Sequence, residues 1–189
     1  RQMCIRDRYK GFSNEYSVLE SALLNPNMVL HTVGSIMSIP RIEYSKGNFC
    51  MYREAYARGN DATFKVMLDL DKEKRKVLER LGCNPIDIFV AGGFLGDPIK
   101  SFYEYSESKD RAISPTSVRS RYITEDVSQG LILLESIAKR IGVDVPITTS
   151  LINISSVALG EDFRENGRTI QRLGCEKYIE ELCETRYGY

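Results

Sequence analysis

No sign of charge dominates this sequence: 26 basic side chains cancel 26 acidic ones, for a formal net charge of zero. Gathering nucleic-acid phosphates or anionic lipid by bulk charge needs a basic excess, so neither partner is expected. No apolar run approaches the roughly 20 residues of a membrane span. The longest candidate, residues 130–141, is broken by Glu135, Lys139 and Arg140. The N-terminus lacks the apolar core of a signal peptide. The five cysteines (Cys4, Cys50, Cys83, Cys175, Cys183) include no Cys-x-x-Cys pair, so neither a metal site nor dithiol chemistry is expected. Isolated thiols suit a reducing compartment, which makes the cytoplasm the expected location. There is no Gly-x-Gly-x-x-Gly unit between a strand and a helix, and no Walker-type loop. Nothing here can cradle a dinucleotide pyrophosphate in the Rossmann manner.

The chain also lacks an initiating methionine and reads as a fragment. Its first eight residues, Arg1–Arg8, have the character of a non-native leader and are set apart, leaving residues 9–189 as one domain. A length of 189 residues is enough for one core and short for two. Hydrophobic residues at 42% and charged residues at 28% are close to ordinary soluble proportions.

What is present is mostly helical periodicity. Asn14 caps an expected helix to Leu24, ended by Asn25-Pro26, since a residue before proline avoids the α region. A second runs over 27–38, with Pro40 just past its end. Residues 47–56 are expected to be extended. Asn60 or Asp61 caps a long helix ending at Gly82, with Phe64, Met67, Leu68, the Lys74 stem and Leu78 in phase. Its charged run, Asp69–Lys76, is expected to be a solvated face with internal pairs. Gly92-Gly93 and Gly96-Asp97-Pro98 mark a loop, and 106–120 a polar surface loop. A strong helix is expected over 125–140, with Leu131, Leu134, Ala138 and Ile141 at helical spacing and Gly142 ending it. Segments 146–158, 163–173 and 176–185 are read as three more. The class is therefore all-α.

His31 is the only histidine, set in the apolar stretch 28–39 near Asn25 and Asn27. Histidine is the side chain best suited to exchanging a proton near neutral pH, although a satisfied core histidine is the commoner case. Thr124 and Asp126 fall where a helix should begin, so capping competes with chemistry for both. Arg121 carries the group best shaped to hold a carboxylate or pyrophosphate by two parallel hydrogen bonds, or it is a surface arginine.

Three blocks carry a resemblance. Residues 25–34 (Asn-Pro-Asn-Met-Val-Leu-His-Thr-Val-Gly), with Arg41-Ile42-Glu43-Tyr44 after them, resemble the start of the substrate domain of octopine/nopaline (opine) dehydrogenases. Residues 121–127 (Arg-Tyr-Ile-Thr-Glu-Asp-Val) resemble that family's second block, and residues 167–174 (Gly-Arg-Thr-Ile-Gln-Arg-Leu-Gly) its closing one. Thr32 and Ser128 stand where family members often have proline, which bears on local stiffness and substrate identity.

The resemblance implies the helical C-terminal half of a two-domain NAD- or NADP-dependent enzyme, with the Rossmann domain absent from this chain. Such an enzyme condenses an amino acid with a 2-oxo acid and reduces the imine. It implies His31 and Asp126 as catalytic groups, with Arg121, Asn25 and Thr124 toward substrate and Arg121 toward the cofactor on domain closure. The implied partners are the two substrates, the missing domain and a second copy in a homodimer. Such a fragment should not turn over alone, and should expose an apolar face where its partner domain belongs. The rivals are the helical half of a 2-hydroxyacid or ketopantoate-type dehydrogenase and a non-catalytic helical dimerisation module. The latter would scatter His31, Arg121 and Asp126 over different surfaces.

Overall fold

Helix is the only regular secondary structure among the described residues, which are 18–109 and 114–187 of the computed structural model. The all-α expectation holds there. Asn14, Tyr16, Cys4 and the Arg1–Arg8 leader lie outside these residues. In chain order the helices are α1 (Val18–Leu23), α2 (Asn27–Ile36), α3 (Ile39–Ser45), α4 (Met51–Tyr56), α5 (Asp61–Arg80), α6 (Ile88–Ala91) and α7 (Pro98–Glu107). Then come α8 (Arg121–Glu125), a π-helical turn (Asp126–Leu131), α9 (Ile132–Ile141), α10 (Pro146–Leu159), α11 (Phe163–Asn166), α12 (Ile170–Leu173) and α13 (Glu176–Tyr187).

Two segments, α2 and the π turn with the α9 that follows it, carry much of the buried surface of the domain. In α2, every residue from Met28 to Ile36 is buried. In the π turn and α9, Leu131, Ile132, Leu133, Leu134, Ile137 and Ala138 are each at most 2% exposed. Such helices need neighbours on several sides. Helix α2 packs on α4, α5, α8, the π turn and α10, and α9 packs on α5, α10, α12 and α13. Gly142 ends α9 in the left-handed region, φ 69°, which a side chain at that position would resist.

Several expectations change on contact with the fold. Residues 51–56 are helical, not extended: Met51, Ala55 and Tyr56 are buried at helical spacing, and the Met51 N–H is capped by the Ser114 hydroxyl. Pro40 sits in the first turn of α3, where its missing N–H costs nothing. The Gly-rich stretch 91–98 separates two helices, and Asp97 caps α7 by accepting from Lys100 N. Segment 106–120 is not wholly surface, since Ser106 and Ser114 are buried. Segment 163–173 breaks into α11 and α12 at Gly167. There a Cβ would lie 2.5 Å from the Phe163 carbonyl oxygen and 2.8 Å from the Ile132 side chain. Asn60 marks the start of α5 without capping it, its amide donating instead to the carbonyls of Arg53 and Glu54.

The largest correction concerns the charged run of α5. Asp71, Glu73 and Lys74 are buried. The Glu73 carboxylate accepts from Ile147 N (2.7 Å), Thr148 N (2.8 Å) and the Thr148 hydroxyl (2.7 Å). Residue Val145 offers α10 no side-chain cap, so a carboxylate from another helix satisfies its orphan N–H groups and meets the positive end of its dipole. Lys74, 1% exposed, places Nζ 2.6 Å from Asp71 Oδ1. On the outer face of α10, Ile154 and Val157 are exposed. No helix among the described residues is long and apolar enough to cross a membrane.

Candidate functional site

Helix α2 starts in a turn in which Asn25 Oδ1 accepts from Asn27 N (3.1 Å), with Pro26 entering the helix. One turn further on, His31 faces α8. Its neighbours Thr32 and Ser35 are buried with their hydroxyls directed to Met28 O and to the Met51 sulfur. The Tyr56 hydroxyl donates to Leu30 O (2.6 Å), tying α4 to the carbonyl just ahead of His31. Burial, with Tyr52 beside it, holds that hydroxyl well above the usual phenol range, so it serves as a neutral donor.

The partner of His31 comes from 95 residues away. His31 Nδ1 and Asp126 Oδ2 are 2.9 Å apart, with the residues only 7% and 5% exposed. An ionised carboxylate can only accept, so with Asp126 ionised the proton sits on Nδ1 and the neutral ring keeps its lone pair on Nε2. Among the described residues Nε2 has no protein hydrogen bond. The imidazole also lies face to face on Tyr122, with centroids 3.7 Å apart and planes 6° from parallel, and Tyr52 meets it edge-on at 6.3 Å.

Tyr122 and Asp126 are four residues apart, which puts both on one side of α8. The helix begins at Arg121, not at residue 125, so Asp126 does not cap a helix start: it follows α8 and opens the π turn. One extra residue in the turn rotates the downstream helix by about 100° relative to an uninterrupted α-helix. It also disturbs the carbonyl ladder, and the Ser128 carbonyl accepts from Arg168 N (2.7 Å). The third sequence block therefore closes onto the second, through the close-packed Gly167. On the other side Gly130 faces Met28, where a Cβ would lie 2.6 Å from Cγ.

The remaining sequence candidates lie around this pair. Arg121 directly precedes Tyr122 and is exposed (side chain 63%), 3.7 Å from the equally exposed Glu125. The Thr124 hydroxyl donates to Ser120 O, a local backbone bond, as is the one made by Asn25. So the fold joins His31 to Asp126 and leaves Arg121 nearby on the surface, rather than scattering all three. Sequence reasoning missed Tyr122 and Tyr52. The spacing of Tyr122 from Asp126 was the available signal for the first, and nothing local marked the second.

A surface hollow of about 440 Å³ lies elsewhere, lined by Glu135, Ser136, Lys139, Arg164, Thr169 and Gln171 among others. Its principal charges already satisfy each other. Arg164 grips Glu135 with two hydrogen bonds of 2.6 Å, and Thr149 donates a third to the same carboxylate. Burial works to raise the Glu135 carboxyl, and these bonds outweigh it, leaving it below its usual range. Among the described residues no cluster of His, Cys, Asp or Glu could hold a metal ion.

A helical domain with a buried His–Asp pair at the face of its central helix defines a class, and the sequence comparisons identify the family. Residues 14–159 match the alpha-helical domain of NAD/NADP octopine/nopaline dehydrogenases, and the chain belongs to that family. The match spans the first two blocks and stops before residues 167–174. Relatives include an opine dehydrogenase of Arthrobacter sp. (strain 1C), 26% identical over 162 residues, 84% of this chain and 44% of the relative. The vitopine synthase of Allorhizobium ampelinum is 28% identical over 79% of this chain and 42% of its own. Protein ocs of Agrobacterium tumefaciens is 27% identical over 90% of this chain and 47% of its own. The chain thus spans less than half the length of the curated relatives it matches.

Proposed function

We propose that this chain is the substrate-side half of an NAD- or NADP-dependent opine dehydrogenase, in which an amino acid amine and a 2-oxo acid are joined and reduced to a secondary amine. The observation that carries the reading is the buried His31–Asp126 hydrogen bond with Nε2 left uncommitted. Within a family of such enzymes this is the arrangement general acid–base chemistry needs. As the amine nitrogen bonds to the carbonyl carbon, the carbonyl oxygen takes a proton and the nitrogen loses one. The hydroxyl then leaves as water, taking a second proton. Nε2 of His31 is the group that gives and receives these protons, and Asp126 holds the tautomer and favours the imidazolium that forms in between. A bound nicotinamide supplies the hydride that reduces the imine. The chain matches the alpha-helical domain of the family and spans less than half the length of its relatives, so the main holder of the nicotinamide is another domain of the full-length protein. Arg121, exposed beside Tyr122, takes a substrate carboxylate or reaches the cofactor pyrophosphate on closure.

The test is a screen of the full-length protein with amino acids paired with pyruvate and other 2-oxo acids, following NADH and NADPH oxidation and identifying the product by mass. A secondary-amine dicarboxylate is expected. Simple reduction of the oxo acid to a hydroxy acid, with no amine incorporated, would overturn the reading. With Arg121→Lys, a rise in KM for the oxo acid alone assigns the arginine to substrate, and a rise for the nicotinamide assigns it to cofactor.

A further inference from the structure

We propose that Tyr122 is a positioning residue for His31, its ring forming the second of two fixtures on the imidazole. This rests on the reading of His31 as the general acid/base. A hydrogen bond at Nδ1 sets where that nitrogen points but tolerates wide departures in angle, and the second torsion of a histidine is broad. The Asp126 bond alone would therefore leave the ring free to tilt about the line from Nδ1, swinging Nε2 through an arc. The Tyr122 face at 3.7 Å, 6° from parallel, removes that tilt, because any rotation drives one edge of the imidazole into the phenol ring. This is closer than the roughly 4.5–7 Å of ordinary aromatic pairs, so the two faces are in contact.

Both fixtures belong to one element. Tyr122 lies in α8, and Asp126 begins the π turn that continues it. The carboxylate and the stacking face therefore move together, and the plane and direction of the imidazole are set by a single rigid piece. An aromatic face also favours a cation laid over it, which is the form His31 passes through while it carries a proton. With Nδ1 committed to Asp126 and the ring held by Tyr122, Nε2 is held in one direction. Misplacing a catalytic group by about 1 Å costs on the order of 10²-fold in rate, which sets the scale of what the stack protects.

A purely structural Tyr122 would instead matter for packing, so the test separates kcat from KM and from folding. Tyr122→Leu, with Tyr122→Met as a second variant, and Tyr122→Phe are made in the full-length protein. In parallel, imidazole proton spectra are recorded on the same full-length proteins, with the His31 signals assigned by their loss in His31→Ala. Leu or Met should lower kcat roughly 10- to 100-fold with KM within about twofold, and Phe should stay within about threefold of the parent. The ring-current displacement of the His31 signals should vanish with Leu or Met and survive with Phe. Unchanged kcat with Leu or Met, or a change in KM or melting temperature only, overturns the positioning role. A loss with Phe equal to that with Leu overturns it as well, since the hydroxyl would then be the active part. Full turnover by His31→Ala would instead sink the acid/base reading, and the spectra would still report whether the stack exists.

Discussion

Two buried carboxylates, Glu73 and Asp126, are placed similarly by the fold and differ in what they leave undone. Each is about 5% exposed and reaches across to another helix. Glu73 collects three donors from the start of α10, two of them backbone N–H groups that would otherwise be orphaned. Donor and acceptor capacity there is closed, and the result is a joint between α5 and α10. Asp126 collects the imidazole of His31, a partner whose second nitrogen makes no protein hydrogen bond among the described residues. A buried charge whose partners are all spent holds a fold together, whereas one whose partner keeps a free functional group can also pass protons. The contrast between a joint and a relay explains why burial alone does not mark a site.

The sharpest way to break that contrast is to remove His31. In the full-length protein His31→Ala should lower condensation per folded molecule by roughly 10²- to 10⁴-fold with nicotinamide binding near that of the parent, and it should also melt lower because Asp126 is left buried without its partner, as steady-state kinetics and thermal melts would report. Turnover close to wild type would make the pair a joint like the other. Asp126→Asn comes next. The amide can donate to Nδ1 and so stabilise the tautomer with its proton on Nε2, and kcat should drop by about 10²-fold or more. If only stability falls, Asp126 is structural.

Glu73→Ala should show the reverse pattern. Losing charged hydrogen bonds and leaving Thr148 N without a partner should cost about 2–3 kcal/mol, or about 4–12 °C in melting temperature for a domain of this size. Activity per folded molecule should be kept, and a specific loss of kcat would link α5 to the chemistry. The smallest effect is expected at the partly exposed Glu135–Arg164 pair. Its folded carboxyl lies below the usual value, so its contribution is present above the unfolded value and disappears as pH falls through the folded one. Glu135→Gln should melt below the parent at neutral pH, and the gap should close in acid. A gap that widens in acid would mean the sign of the shift is wrong.

Much of the helical pattern was legible because helix ends are local chemistry. Gly142 as the end of α9 and the break at Asn25-Pro26 come from backbone sterics within a few residues. The errors occurred where a distant group supplied what the local sequence lacked. Residues 51–56 looked extended because their cap, Ser114, is 63 residues away. The run Asp69–Lys76 looked solvated because its charges can pair with one another along the helix, as Asp71 and Lys74 do, whereas the partners of Glu73 lie far off at residues 147 and 148. Thr124 and Asp126 looked like caps because the earlier helical start at Arg121 is weakly marked.

By itself the sequence determined an all-helical chain without a dinucleotide fingerprint, the identity of the one imidazole, and the three blocks that resemble opine dehydrogenases. These are matters of composition and short-range order. The tertiary structure decided which carboxylate meets that imidazole, the tyrosine that lies against it, and the π turn whose freed carbonyl Arg168 N satisfies. A hydrogen bond between residues 95 apart has no local signature. It exists only because α2 buries its apolar surface against α8 and the π turn and brings the pair along.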